Sequence, residues 1–220
     1  MSLRPACALL ACQLLMALAA PAARATMPTP GRHVKLADGW RFAFGPHEGA
    51  ERGSYADSAW QRVSLPHTWN AEDAFTKEPA FREGPGWYRR TVELGPELAG
   101  RRLVLRFEGA NQVTDVWWNG THVGRHAGGY TAFAFDVTGE ARFGAANVIA
   151  VRADNTVGPV PPLIADYDFY GGLYRDVWLD VTGPVHLSTL DHGAPGAWAE
   201  ASGVSGARAT VHVRGRIANA

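Results

Sequence analysis

The sequence predicts an all-β protein organised as a jelly-roll β-sandwich. Three observations lead there: short runs of alternating apolar residues from Leu36 onward, clusters of Gly, Pro, Asn and Asp between those runs, and no long stretch with a helical period. Without helices to cover a parallel sheet, the strands must bury one another. Two packed antiparallel sheets do this.

The first 25 residues stand apart from that pattern. Arg4 supplies a positive start, Ala6 to Ala20 is almost unbroken apolar chain, and Ala23-Arg24-Ala25 is the small-x-small site of a secretory signal peptide. Cleavage after Ala25 gives a mature chain beginning at Thr26 in the periplasm or outside the cell. The apolar run is shorter than the ~20 residues that a membrane helix needs, and no second run follows. Leu9-Leu10-Ala11-Cys12 loosely resembles a lipoprotein box, but the apolar run continues past it. Both cysteines, Cys7 and Cys12, lie in the leader, so the mature chain rests on packing rather than on disulfides or a zinc site. The 21 Lys plus Arg balance the 21 Asp plus Glu, and no basic block is present to suit nucleic acid or an anionic membrane.

Residues 26–184 are expected to hold the sandwich. Leu103, Leu105 and Phe107 share one face of a strand, as do Phe133, Phe135 and Val137, and again Val177, Leu179 and Val181. Val113–Trp118 and Thr121–Val123 flank Asn119-Gly120, a dipeptide that tolerates positive φ at both turn positions and predicts a hairpin. Asn119-Gly120-Thr121 is also a glycosylation sequon, although the turn alone explains it. Asn155 to Gly172, rich in Gly and Pro and carrying Asp166-Tyr167-Asp168-Phe169-Tyr170, reads as a long functional loop. The eight tryptophans are expected mainly to fill the core. In residues 185–220, Val185–Leu190 and Ala209–Ile217 read as strands and Gly193–Gly206 as loop, with the segment beyond Pro184 weakly held because two strands cannot close a sandwich.

Several motifs, in order, carry a resemblance. Asp38-Gly39-Trp40-Arg41-Phe42, Leu65-Pro66-His67-Thr68-Trp69-Asn70, Gly86-Trp87-Tyr88-Arg89-Arg90, Phe107-Glu108-Gly109-Ala110, Trp117-Trp118-Asn119-Gly120, Gly128-Gly129-Tyr130 and Gly171-Gly172-Leu173-Tyr174-Arg175-Asp176-Val177 resemble the sugar-binding domain of family 2 glycoside hydrolases of the β-galactosidase kind. The resemblance implies a galactose-binding-like jelly-roll domain. It also implies that residues 185–220 open an immunoglobulin-like sandwich that is incomplete here, and that a (β/α)₈ barrel outside this sequence, in cis or on an adjacent chain, holds the catalytic acid and nucleophile. Retaining glycosidases need those two carboxyl groups about 5 Å apart. The implied substrate is a β-linked glycan or galactoside; β-mannosidase and β-glucuronidase relatives share the first domain.

The chemistry left to this chain is sugar contact rather than hydrolysis. Asp166 and Asp168 lie beside Phe169 and Tyr170, and carboxylates with aromatic rings are the groups that sugar hydroxyls and C–H faces need. The resemblance places the family's pocket-reaching Asp on Asp166 when counted back without a gap from Gly172-Leu173-Tyr174-Arg175, and on Asp168 with one; a turn cap or a pairing with Arg175 is the structural alternative. Asn70 and Asp73 are candidate contacts from a second loop, beside His67 and Trp69 as packing residues. Thr76 to Glu83 lacks the Asn that family members often carry there. The eight histidines are scattered, and neither a Gly-x-Ser-x-Gly elbow nor a phosphate-binding loop is present, so no cofactor or metal is expected. A free-standing carbohydrate-binding module and a non-functional structural fragment are the competing readings.

Overall fold

The computed structural model describes residues 32–75, 81–160 and 169–219. The leader expected over residues 1–25, and Asp166 and Asp168, lie outside the described residues. The strands are β1 (Arg32–Lys35), β2 (Trp40–Phe44), β3 (Gln61–Val63), β4 (Pro85–Leu94), β5 (Arg102–Phe107), β6 (Val113–Trp118) and β7 (Thr121–Ala127). They continue with β8 (Phe133–Asp136), β9 (Ala145–Asp154), β10 (Val177–Thr182), β11 (Val185–Leu187), β12 (Ala197–Ser202), β13 (Thr210–Gly215) and β14 (Ile217–Asn219).

Two antiparallel sheets face each other, a six-stranded one in the order β3-β2-β4-β9-β6-β7 and a four-stranded one in the order β1-β10-β5-β8. The expected alternation holds. Leu103, Leu105 and Phe107 on β5 pair in register with Val181, Leu179 and Val177 on β10, and all six are buried against the other sheet. Burying each such side chain stabilises the sandwich by about 1.5–3 kcal/mol. Trp40, Trp69, Trp87 and Trp118 are buried, while Trp198 is exposed, so core packing accounts for half of the tryptophans. The centre of the larger sheet is the ten-residue pair β4 and β9. Ala145–Asp154 was not among the strands expected from sequence, because Ala, Asn and Asp dilute its β-branched residues.

The hairpin forms as expected, with Trp118 facing Thr121 across Asn119 at φ 53° and Gly120 at φ 89°. Asn119 does more than turn the chain. Its Nδ2 donates to the carbonyl of Glu140 (2.8 Å) and to Asn147 Oδ1 (2.9 Å), and its Oδ1 accepts from the Val148 N–H (2.9 Å). Both amide protons are engaged inside the fold. Asn119→Ala should therefore cost about 2 kcal/mol in urea unfolding, through these bonds and the positive φ; a cost under ~0.5 kcal/mol would show that the anchor contributes nothing.

The segment after Pro184 departs from expectation in two ways. Residues 197–202, read as loop from their small side chains, form β12 and pair fully with β13, while Ile217 leaves that strand for β14, which pairs with β11. A hairpin ladder is made by backbone groups, so alanines suffice where no core demands larger residues. The segment is also partly held. Ser188 is buried, and a Cβ on Gly193 would lie 3.1 Å from the Ala132 Cβ, so the turn beside it presses against the start of β8. Val211, Val213 and Ile217 remain exposed, as expected for strands that no sheet faces among the described residues.

Candidate functional site

Three connections meet at one end of the sandwich: β3–β4, β5–β6 and β9–β10. What joins them is a set of buried amides. Asn70 is fully buried, and its Oδ1 accepts from the Gly171 N–H at 2.8 Å and lies 3.4 Å from Asn155 Nδ2. Its Nδ2 donates to Asp73 Oδ2 (2.8 Å) and to the Arg82 carbonyl (2.9 Å). Asn155 takes the other side, with Oδ1 accepting from the Gly84 N–H (2.9 Å) and Nδ2 donating to the same Arg82 carbonyl (3.2 Å).

Asp73 and Arg82 brace the β3–β4 connection. The Asp73 side chain is only 6 % exposed and accepts from both the Arg82 N–H (2.9 Å) and its Nε (3.1 Å). Burial alone would raise the Asp73 pKa; the Arg82 N–H, the Asn70 amide and the Arg82 guanidinium outweigh it and hold the carboxyl below its ordinary value. Arg82 also donates to the Trp69 carbonyl.

The β9–β10 connection is fastened on both flanks by consecutive residues of the β5–β6 connection. Gln112 Nε2 donates to the Val160 carbonyl at 2.6 Å, and Asn111 Nδ2 donates to the Tyr170 carbonyl at 3.0 Å. The backbones of Asn111 and Gly172 then exchange two hydrogen bonds, at 3.0 and 3.2 Å. Asn111 Oδ1 is buried with no partner among the described residues. Gly171 is required by contact: a Cβ there would stand 2.1 Å from the Trp69 ring and 2.8 Å from the Asn155 side chain. Trp69 in turn stacks on Phe42, with ring centroids 5.9 Å apart. His67 packs on Phe42 and faces the Tyr88 hydroxyl at 2.8 Å, and burial lowers its pKa, which keeps it neutral near pH 7.

Comparison with known proteins then gives the architecture its family. The profile of the glycosyl hydrolases family 2 sugar binding domain matches residues 34–183. The chain belongs to this family. It is 38 % identical over 187 residues to a β-glucuronidase of Bacteroides fragilis, covering 84 % of this chain and 26 % of that protein. It is 32 % identical over 189 residues to a β-galactosidase of Bacteroides ovatus, covering 82 % of this chain and 21 % of that protein. Among solved structures, Bacteroides uniformis β-glucuronidase 2, covalently bound to cyclophellitol-6-carboxylate aziridine, superposes with a TM-score of 0.81 at 35 % identity, over 86 % of this chain and 22 % of that one. The chain thus spans about a quarter of the length of these relatives.

Within this family 2 domain, the candidate residues divide. Asn70 and Asp73 are brought together in the clamp, Asn70 fully buried and the Asp73 side chain 6 % exposed. Asp166 and Asp168 belong to the stretch between Val160 and Tyr170 whose flanks the clamp holds. Arg175, their alternative structural partner, places Nη1 3.5 Å from the carbonyls of Glu108 and Tyr130. Arg82, Asn111, Gln112 and Asn155 were not singled out from sequence. The one signal for them was amide side chains at the ends of strands, where turn formation explains them equally well.

Proposed function

We propose that this chain is the N-terminal sugar-binding portion of a secreted glycoside hydrolase acting on β-linked glycosides, and that it shapes the substrate pocket without hydrolysing the bond itself. The observation that carries this reading is the amide clamp. A domain with only a packing role has no need to fasten both flanks of a loop rich in Asp and aromatic residues with buried hydrogen bonds, whereas a sugar contact needs its carboxylate held in place. In this reading Asp166 accepts a hydrogen bond from a substrate hydroxyl, with Asp168 as the lesser contact. The acid and nucleophile are supplied by a barrel outside these 220 residues.

Relatives named as β-glucuronidases and β-galactosidases support a substrate whose scissile sugar is one of these two. The test is turnover of aryl β-glucuronides and aryl β-galactosides by the full-length protein and its absence from the 220-residue chain. Activity in the short chain that vanishes with one of its own carboxylates would overturn the reading.

Residues 26–184 are the jelly-roll unit of this proposal and residues 185–220 the opening of an immunoglobulin-like one. Export follows from the leader. Sequencing the N-terminus of secreted material should return Thr26, and a start at Cys12, or Met1 retained in cytosolic protein, would defeat it.

A further inference from the structure

β1 runs antiparallel to β10 with Arg32 opposite Val181, so the chain before Arg32 is directed at the end of β10 and the residues that follow it. The sequence stops the ladder there. The Leu36 N–H donates to the Val177 carbonyl, and hydrogen-bonded pairs recur at every second residue, so the first such pair before Arg32 would set Pro30 against Gly183. Proline has no N–H to give, so that pair can be at most half made.

A groove of about 490 Å³ lies at this point. Gly183, Val185, His186, Leu187 and Pro195 line it together with His33 of β1. Its accessible surface is mainly apolar. Val185 is 64 % and Leu187 46 % exposed, and as alternate residues of β11 they present one face. Asp180 beneath them is buried and already held by His33 and Arg106, so the groove offers apolar contact rather than charge. Exposed apolar side chains gathered at a concave surface mark a place where something docks.

We propose that the residues before β1, from Met27 to Gly31, lie in this groove as an extended strap, with Met27 and Pro28 against Val185 and Leu187. The strap ties the start of the jelly roll to β11 and holds the segment after Pro184 in place. Reach, composition and charge all favour this occupant. A polyproline II chain rises ~3.1 Å per residue, so Met27 reaches about 12 Å from Gly31, enough to run along a three-residue strand such as β11. Pro28 and Pro30 hold φ in advance and bring no N–H to be stranded in an apolar groove, and the flexible Met27 thioether fills irregular surface. Thr26 to Gly31 includes no charged side chain, so docking buries no ion. The inference concerns how the two parts of the chain are joined and stands apart from the sugar-binding reading.

Residues 26–220 contain no cysteine, which makes proximity directly measurable. Disulfide closure needs Cβ atoms about 4 Å apart, so Met27→Cys with Val185→Cys should close within one chain about 10-fold faster than Met27→Cys with Val157→Cys, a similarly exposed position on the β9–β10 connection. Deleting residues 26–31 should speed proteolytic trimming of the segment after Pro184 several-fold. Val185→Ser should do the same in the longer chain and add nothing in the shortened one, because the two changes remove one contact. Equal closure of the two cysteine pairs, trimming unchanged by the deletion, or additive effects of the deletion and Val185→Ser would overturn the assignment. Disulfides formed only between chains would give the groove to a second copy, and closure lost in the full-length protein would give it to residues beyond Ala220; either result overturns it equally.

Discussion

Asn70→Ala should lower the unfolding free energy by about 3–5 kcal/mol and the melting temperature by roughly 10 °C. The side chain is fully buried and joins the Gly171 N–H, the Arg82 carbonyl and the Asp73 carboxylate at 2.8–2.9 Å. Its removal leaves a buried donor, a buried acceptor and part of a carboxylate's shell unmatched, and each orphaned group costs about 1–3 kcal/mol. Partial collapse and water entry reduce the sum. Urea and thermal unfolding of the chain measure the effect, and a loss below ~1 kcal/mol would mean that water replaces the amide freely. The clamp also carries a pH dependence. Because Asp73 has its pKa depressed below the ordinary 3.8, its contribution is fully present above that pH and is lost as pH falls through the lower folded value. Acid should therefore weaken wild type in a window below 3.8, and Asp73→Asn should flatten that part of the profile.

In the full-length protein, Asp166→Ala should reduce kcat/KM by roughly 10- to 100-fold. A hydrogen bond between an ionised carboxylate and a sugar hydroxyl contributes ~1.5–3 kcal/mol, which converts to that range. Asp168→Ala should do less. The measurement uses the aryl glycoside that the enzyme turns over best, with kcat and KM determined separately. If Asp166 contacts the sugar equally in ground and transition states, KM rises alone; if the contact tightens as the ring distorts, kcat falls as well. A neutral Asp166→Ala would confine the loop to a structural role. Asn70→Ala, assayed below its melting temperature, separates positioning from contact. It should reproduce part of the Asp166 defect although Asn70 has no exposed surface with which to touch substrate.

The contrast between those two residues reflects what a sequence can carry. Asp166 stands out from a local pattern of acids and aromatics together with a family motif. Asn70 was also picked out, and an Asn in a loop looks the same whether it faces a sugar or the buried Gly171 N–H, Arg82 carbonyl and Asp73 carboxylate. Its partners are 85 and 101 residues away, at Asn155 and Gly171, and no local spacing encodes such pairs. Asn111 and Gln112 escaped notice for the same reason.

The sequence by itself determined the fold class, the core faces of β5 and β10 and the Asn119-Gly120 hairpin. Each depends on a two-residue period or on the φ preference of single residues, and these act within one strand or turn. It determined less for β9 and β12, whose alanines give little local signal and whose strand character comes from their neighbours' ladders. Tertiary structure alone decided that Asn70, Asn155, Asn111 and Gln112 form one clamp, and that Val185 and Leu187 line a groove shared with His33 of β1. Both depend on which strands become neighbours, and the clamp also on which polar atoms burial leaves matched or unmatched.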